Sequence, residues 1–452
     1  MQTIAQFILI CLCFLMFKVE REKKLAILFL STICFDCVRI SFIPFGYAKY
    51  ILCISFLLSE IPYIKKHIKS IKRTILSSLV FSMIIATIIL AINSPHYNNM
   101  TQYIRITIME LVTKYFVICY AFLSIKEIRG LNKTFKLSFY GLIILTGFGV
   151  LNYITKNAIF IDEMLKGMTL TDVMEDAGNK FTNSERFRVQ AMFPNPFDYG
   201  YICILLLLFN WFGYLNKLVS KKHLYISILC CFFGIITCGC RTNILCTIIG
   251  IIMFTLFAFN YKKKFKYIFI GIIGSIILIS SIPAIQDKIA ETMSVFDKDS
   301  SKVGGSSIEM RIIQYTAVLY HIRDHEWFGR GLDFFNIDLG WGEGKQFLVD
   351  KDLFGLEGVI MSYLLERGII GVLIYFIFYT SLLIFIYKNR KLDKYTAALG
   401  IATLSSYLAF SNMTGELSSV FPTLLITGCC IKLLYSKKQT LNSINQLNCN
   451  KR

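Results

Sequence analysis

The chain has 452 residues, of which 55% are hydrophobic and only 17% charged, and its apolar residues come in blocks long enough to cross a bilayer. That pattern excludes a soluble globular enzyme and predicts an all-α polytopic membrane protein. The formal net charge of +19 would point to nucleic acid in a soluble chain, but the lysines and arginines lie in short segments between apolar blocks, the mark of loops beside anionic lipid, so no nucleic-acid partner is expected.

The first block, QTIAQFILICLCFLMF, has no basic stretch before it and no small-residue cleavage site after it, and it reads as a retained span. Together with it, apolar runs near 25–43, 45–63, 74–92, 103–123, 137–155, 198–215, 224–240, 243–261, 267–285, 358–387, 395–414 and 418–435 make about thirteen spans, with twelve to fourteen as the range. Short basic connections start at Lys18, Lys65, Lys126, Asn216, Lys262 and Lys388. They fall at every second connection, and the basic tail at 436–452 continues the alternation, so this side is expected to be cytoplasmic. The two long polar connections, 156–197 and 286–357, then share the outer face of a bacterial inner membrane. Neither an internal repeat nor a matched pair of interrupted spans is present, which counts against a transporter. Most of the fifteen cysteines sit in apolar runs, where Cys acts as a small hydrophobe.

Several ionisable residues fall inside spans: Asp36, Arg39, Arg105, Glu110, Lys114 and Glu366. A charge there costs about 2.5–3.5 kcal/mol on insertion scales, so each is expected to face the bundle or a wet cavity. Asp36 with Arg39, and Glu110 with Lys114, have the spacing of neutralising pairs on one helix face.

The first long connection ends ERFRVQAMFPNPFDYG, placing Arg186 and Arg188 before a span whose mouth carries Asn195, Asp198 and a Pro-Asn-Pro turn. Next, TCGCRTN sets Arg241 in a tight outer turn, against the usual charge bias, which favours a functional role over lipid anchoring. In the second long connection, 306–331 reads as an amphipathic helix with Ile308, Ile312, Tyr315, Leu319 and Ile322 on the apolar face. Arg311, Gln314, His321 and His325 then form a stripe on the other face, and Arg323 and Arg330 extend it. Gly329 and Gly331 permit a tight turn after the helix. The acids Asp333, Asp338, Glu343, Asp350, Asp352 and Glu357 show no metal-ligand spacing, so neither metal nor cofactor is expected. Phosphate loops, zinc helices and serine elbows are absent from the sequence. A membrane enzyme with clustered outer arginines and no nucleotide motif suits a donor that is already activated, such as a pyrophosphate-linked lipid. A carboxylate or imidazole would take the proton of the attacking hydroxyl.

Four stretches in order, RVQAMFPNPF from Arg188, CGCRTN with Arg241, Arg311 through HEWFGRGLDFF, and YLLERGIIGVL, resemble the O-antigen polymerase and O-antigen ligase superfamily over about the second half of the chain. The resemblance implies metal-independent glycosyl transfer from undecaprenyl pyrophosphate-linked glycan at the outer face of the inner membrane. It also implies that Arg188, Arg241 and Arg311 hold the donor phosphates. Ligases of the family carry a catalytic His eleven residues before the Gly that matches Gly368, where this chain has Glu357. That departure favours the polymerase branch, working with a flippase and a chain-length regulator, over a ligase acting on lipid A-core. A lipid-linked glycan flippase is the rival of another class. The general base stays open between Glu357, His321 and His325.

Overall fold

The computed structural model describes residues 2–38, 48–72, 75–93, 107–165, 187–260, 308–332, 334, 352–353 and 356–449. The expected span at 267–285, residues 166–186 of the first long connection, most of the second, and Arg39, Arg105, Arg186, Asp333, Asp338, Glu343 and Asp350 lie outside them. Among the described residues the chain is all helix and turn. The helices are α1 Gln2–Lys18, α2 Arg21–Cys34, α3 Ala48–Lys72, α4 Ile75–Asn93, α5 Thr107–Ser124, α6 Asn132–Thr155, α7 Ile159–Leu165, α8 Pro196–Leu215, α9 Lys221–Thr237, α10 Arg241–Ala258, α11 Ile308–His321, α12 Val359–Lys388, α13 Lys394–Thr414 and α14 Val420–Cys449.

Each expected span that has described residues falls on a helix there. Of the described helices, seven are long and apolar enough by themselves to cross a bilayer, in α4, α5, α6, α8, α10, α12 and α14. The segment expected at 25–43 ends early, because α2 stops at Cys34 and the chain turns through Asp36. Asp36 pairs with Lys49 at the start of α3, 3.6 Å away, while Arg39, its expected partner, lies outside the described residues.

Helix starts follow local chemistry. Asn195 caps α8, its side chain accepting from the Asp198 N–H at 2.8 Å with Pro196 next in line. Asp393 caps α13 by accepting from the Tyr395 and Thr396 N–H groups. The centre of the bundle is α8, almost wholly buried, with α13 and α14 beside it. Outer helices such as α4 turn Ile85, Ile88 and Ile89 outward, as lipid requires. Polar groups tie helix to helix: Ser406 of α13 donates to the Cys246 carbonyl of α10 at 3.0 Å.

Helix α12 is broken. Gly368 has φ 63° and ψ −166°, dividing α12 into two helical pieces. The segment after α11 fits against this break. Arg330 and Gly331 N–H donate to the Leu365 and Glu366 carbonyls at 2.8 and 3.0 Å, while Ile369 and Ile370 N–H donate to the Glu326 and Trp327 carbonyls at 2.8 and 3.2 Å. Backbone groups freed by the break are thus satisfied inside protein, as they must be away from water.

At the opposite end, Lys24 of α2 donates to Glu60 of α3 at 2.6 Å and to Ser59 at 2.8 Å, and Arg21 reaches the other Glu60 oxygen at 2.8 Å. The Lys24 and Glu60 side chains are buried. Removing one charge would strand the others, so Glu60→Ala is expected to cost about 3–5 kcal/mol. Lys24→Met with Glu60→Leu should restore much of it. Thermal melts of the purified protein in detergent distinguish the two.

Candidate functional site

The end of α13 and the short connection to α14, SNMTGELSS, are where elements from across the chain converge. Gly415 leaves the helix at φ 92°, freeing the next residues to face inward. Glu416 accepts from Lys114 of α5 at 2.9 Å, from the Tyr363 hydroxyl of α12, and from the Tyr407 hydroxyl at 3.5 Å. Ser418 accepts from Lys49 at 2.9 Å. The Ser419 N–H donates to Asp198 of α8 at 3.0 Å, and Asn195 donates to the same carboxylate at 3.0 Å. Arg311 of α11 donates to the Met413 carbonyl at 3.2 Å and pairs with Glu357.

Beneath this connection lies a cleft of about 520 Å³ walled by α3, α5, α8, α12 and the start of α14, with Lys49, Asp198 and Glu416 in its lining. Its floor is ionic. Helix α5 opens into a π-helical turn at Leu111–Tyr115 that contains Lys114, a local widening often found at functional sites. Lys114 lies 3.6 Å from Glu110, and Glu110 accepts from Arg367 of α12 at 2.6 Å. The Arg367 guanidinium also lies over the Tyr363 ring, 4.3 Å from its centroid. Gly371 makes room for the Arg367 side chain, since a Cβ there would stand 2.2 Å from the Arg367 Cβ. Two atoms of this buried group, Glu110 Oε2 and Arg367 Nε, have no hydrogen-bond partner among the described residues.

The structure divides the residues expected from sequence into groups. Arg311 and Glu357 come together, with Gln314 buried one turn along the same helix. His321 lies ten residues from Arg311, about 15 Å along a helix, and His325 and Arg323 are exposed beyond it. Arg330 stacks over Phe334, 5.4 Å from the ring centroid, and its N–H holds the α12 break. Arg188 and Arg241 flank one turn: the Val189 N–H donates to the Thr237 carbonyl at 3.1 Å, Arg188 is within electrostatic reach of Cys238, and Arg241 begins α10. Asn195 lines the cleft.

The apolar face of α11 is covered only in part. Ile312 and Leu319, on that face by periodicity, are each 60% exposed, while Ile322 of the same face is buried together with Gln314 and Val318. The contact face is set by where α11 meets α12 and the Leu353 region, and Arg311 turns toward it to reach Glu357. The apolar residues left outside, with Tyr320 and Trp327, give α11 an exposed apolar side.

Sequence reasoning missed Lys49, Arg367 and Glu416, and read Glu110 with Lys114 as a closed pair. Glu416 had a signal, an acid in a short polar run between two apolar spans. Arg367 was hidden by its neighbour Glu366, since only helix phase decides which of the two reaches Glu110. Among the described residues no group of three or more His, Cys, Asp or Glu side chains is placed to hold a metal.

A family model described as O-antigen ligase matches residues 226–376, which run from α9 through the break in α12 and take in Arg241, Arg311, Glu357 and Arg367. No curated protein matches the chain.

Proposed function

We propose that this membrane protein, in which residues 226–376 match the O-antigen ligase family model, polymerises lipid-linked oligosaccharide repeat units at the outer face of a bacterial inner membrane. The donor is undecaprenyl pyrophosphate-linked glycan; the product is O-antigen, capsule or another surface polysaccharide. The acceptor hydroxyl attacks the anomeric carbon, the carbon–oxygen bond to the pyrophosphate breaks, and polyprenyl pyrophosphate leaves with the electron pair.

The observation that carries this reading is the Arg311–Glu357 pair, set against the Met413 carbonyl in the last turn of α13 beside the cleft. Arginine binds pyrophosphate oxygens bidentately and stabilises charge as it develops on the leaving group. A pyrophosphate engaging Arg311 competes with Glu357 for the guanidinium, leaving the carboxylate free to take the acceptor proton. Arg188 and Arg241, with Arg186, supply the remaining positive charge, and Arg323 and Arg330 extend it toward the glycan. His321 and His325 are the alternative bases. A flippase would deliver the substrate and a chain-length regulator would limit the product.

The ligase reading draws on the name of the matched family, and the position of Glu357 in place of the ligases' histidine favours polymerase over it. Deleting the gene should leave cells displaying single-repeat glycan on denaturing gels. Unchanged long chains would sink the proposal, and transfer of glycan to lipid A-core by the purified protein would establish the ligase instead.

A further inference from the structure

On the side that the basic connections mark as cytoplasmic, a pocket of about 730 Å³ lies between the starts of α6 and α9. Arg129 from the turn before α6, Lys136 from α6 and Lys217 from the turn before α9 line it, and no Asp or Glu does. None of these three side chains makes an ion pair among the described residues. Two acids are close in the fold: Glu22 packs against Gly130, and Glu127 precedes it in the same turn. Neither enters the lining. Basic residues beside a membrane often do no more than follow the sidedness of the loops. Here cations from two distant connections gather round one concavity, and like charges so placed raise its potential and concentrate anions in it.

Two further features point to the kind of anion. Asn132 and Ser220 line the pocket at the first turns of α6 and α9, so two helix dipoles present their positive ends beside the three cations. Beyond the pocket, toward the membrane, the outer surfaces of the same two helices are apolar and bare. Ile143 and Ile144 of α6 and Ile226 and Leu229 of α9 are 44%, 49%, 44% and 72% exposed, as lipid-facing residues are. Tyr140, half exposed and part of the lining, stands between the charged and the apolar zones, where aromatic residues mark the membrane interface. A ligand that fits both zones carries a phosphate at one end and hydrocarbon at the other, and basic pockets between spans on the cytoplasmic side suit anionic lipid headgroups. We infer that the pocket between α6 and α9 holds the headgroup of an anionic phospholipid of the cytoplasmic leaflet, with Arg129, Lys136 and Lys217 on its phosphate and its chains along α6 and α9. The site is separate from the Arg311–Glu357 pair, and all of its lining but Ile226 falls outside residues 226–376.

The test is native mass spectrometry of the full chain in detergent, titrated with phosphatidylglycerol or with zwitterionic phosphatidylcholine. Wild type should retain phosphatidylglycerol in preference to phosphatidylcholine. Two variants, Lys136→Ala with Lys217→Ala and Arg129→Ala with Lys136→Ala, should each bind phosphatidylglycerol about tenfold more weakly or worse, with the phosphatidylcholine level unchanged. All of these side chains are exposed, so both variants should melt like wild type without added lipid, and the second guards against a folding defect in the first. Lys65→Ala with Lys66→Ala removes the same charge from exposed positions on the same side but outside the pocket, and it should keep wild-type binding. Inorganic phosphate should displace the lipid no better than sodium chloride of equal ionic strength, which controls for screening. The inference is overturned if wild type shows no preference for the anionic lipid, if both pocket variants bind it as wild type does, or if the Lys65 and Lys66 pair matters as much as the pocket. Displacement by phosphate beyond that of chloride would make the pocket a site for a soluble anion and overturn the lipid assignment.

Discussion

Arg311→Ala and Arg241→Ala should each lower polymerisation by about 100- to 1000-fold, the loss of about 2.7–4 kcal/mol that follows removal of one preorganised charge donor to a transition state. Protein level should be unchanged. Arg241 begins α10 and Arg311 lies on α11 at the loop-bearing end of the bundle, so neither truncation opens the core. Arg311→Ala has a side effect to separate from catalysis, because it removes the ion pair with Glu357. The side chains of this pair are 25% and 29% exposed, which makes that stability effect small. Arg311→Lys keeps the charge and loses the bidentate fork, and it should still fall well below wild type if the guanidinium holds two pyrophosphate oxygens. Surface glycan ladders, read beside immunoblots of the membrane fraction, measure both quantities. Wild-type chain length in either alanine variant removes the arginines from the reaction.

What the sequence could and could not convey follows from how far each signal travels along the chain. Apolar runs and their caps are local, so the helices, the Asn195 cap and the Pro-Asn-Pro turn were legible from the residues alone. Arg311 and Glu357 were each legible as residues, and their meeting across 46 positions was not. Which side of α11 is covered was not legible, because apolar periodicity does not say what lies beside a helix; here Ile312 and Leu319 stay outside and Arg311 turns inward to Glu357. The cleft was least legible. Glu110, Lys114, Arg367 and Glu416 come from two separate helices and a connection, and the i, i+4 spacing of the first two suggested a closed pair where the fold builds a network of α5, α12 and the 412–419 connection. Helix phase and long-range contact decide such a site, and neither is encoded in a short window.

Gly368→Ala should be the most damaging of the glycine substitutions, and a graded series shows why. Gly147 is helical and a Cβ there meets nothing within 4 Å, so Gly147→Ala should raise stability by about 0.5–1 kcal/mol through helix propensity. Gly415 also has open space around it but sits at φ 92°, so Gly415→Ala carries only the conformational cost, about 1–3 kcal/mol. Gly368 combines φ 63° with a Cβ position 2.4 Å from the Trp327 carbonyl carbon, and Gly329 opposite has φ 71° with a Cβ position 2.4 Å from the Arg367 nitrogen. These contacts are backbone against backbone and cannot be relieved by a side-chain rotation. An alanine at 368 must therefore push the 325–331 segment away from α12, and the four hydrogen bonds between them go with it. The same break sets the direction from which Arg367 reaches Glu110, so the variant should lose activity even where folded protein survives. Melting temperatures in detergent should rank Gly147→Ala above wild type, then Gly415→Ala, then Gly368→Ala. A Gly368→Ala protein that melts with Gly415→Ala would mean that the segment after α11 yields at little cost, and that the break in α12 does not hold Arg367 in place.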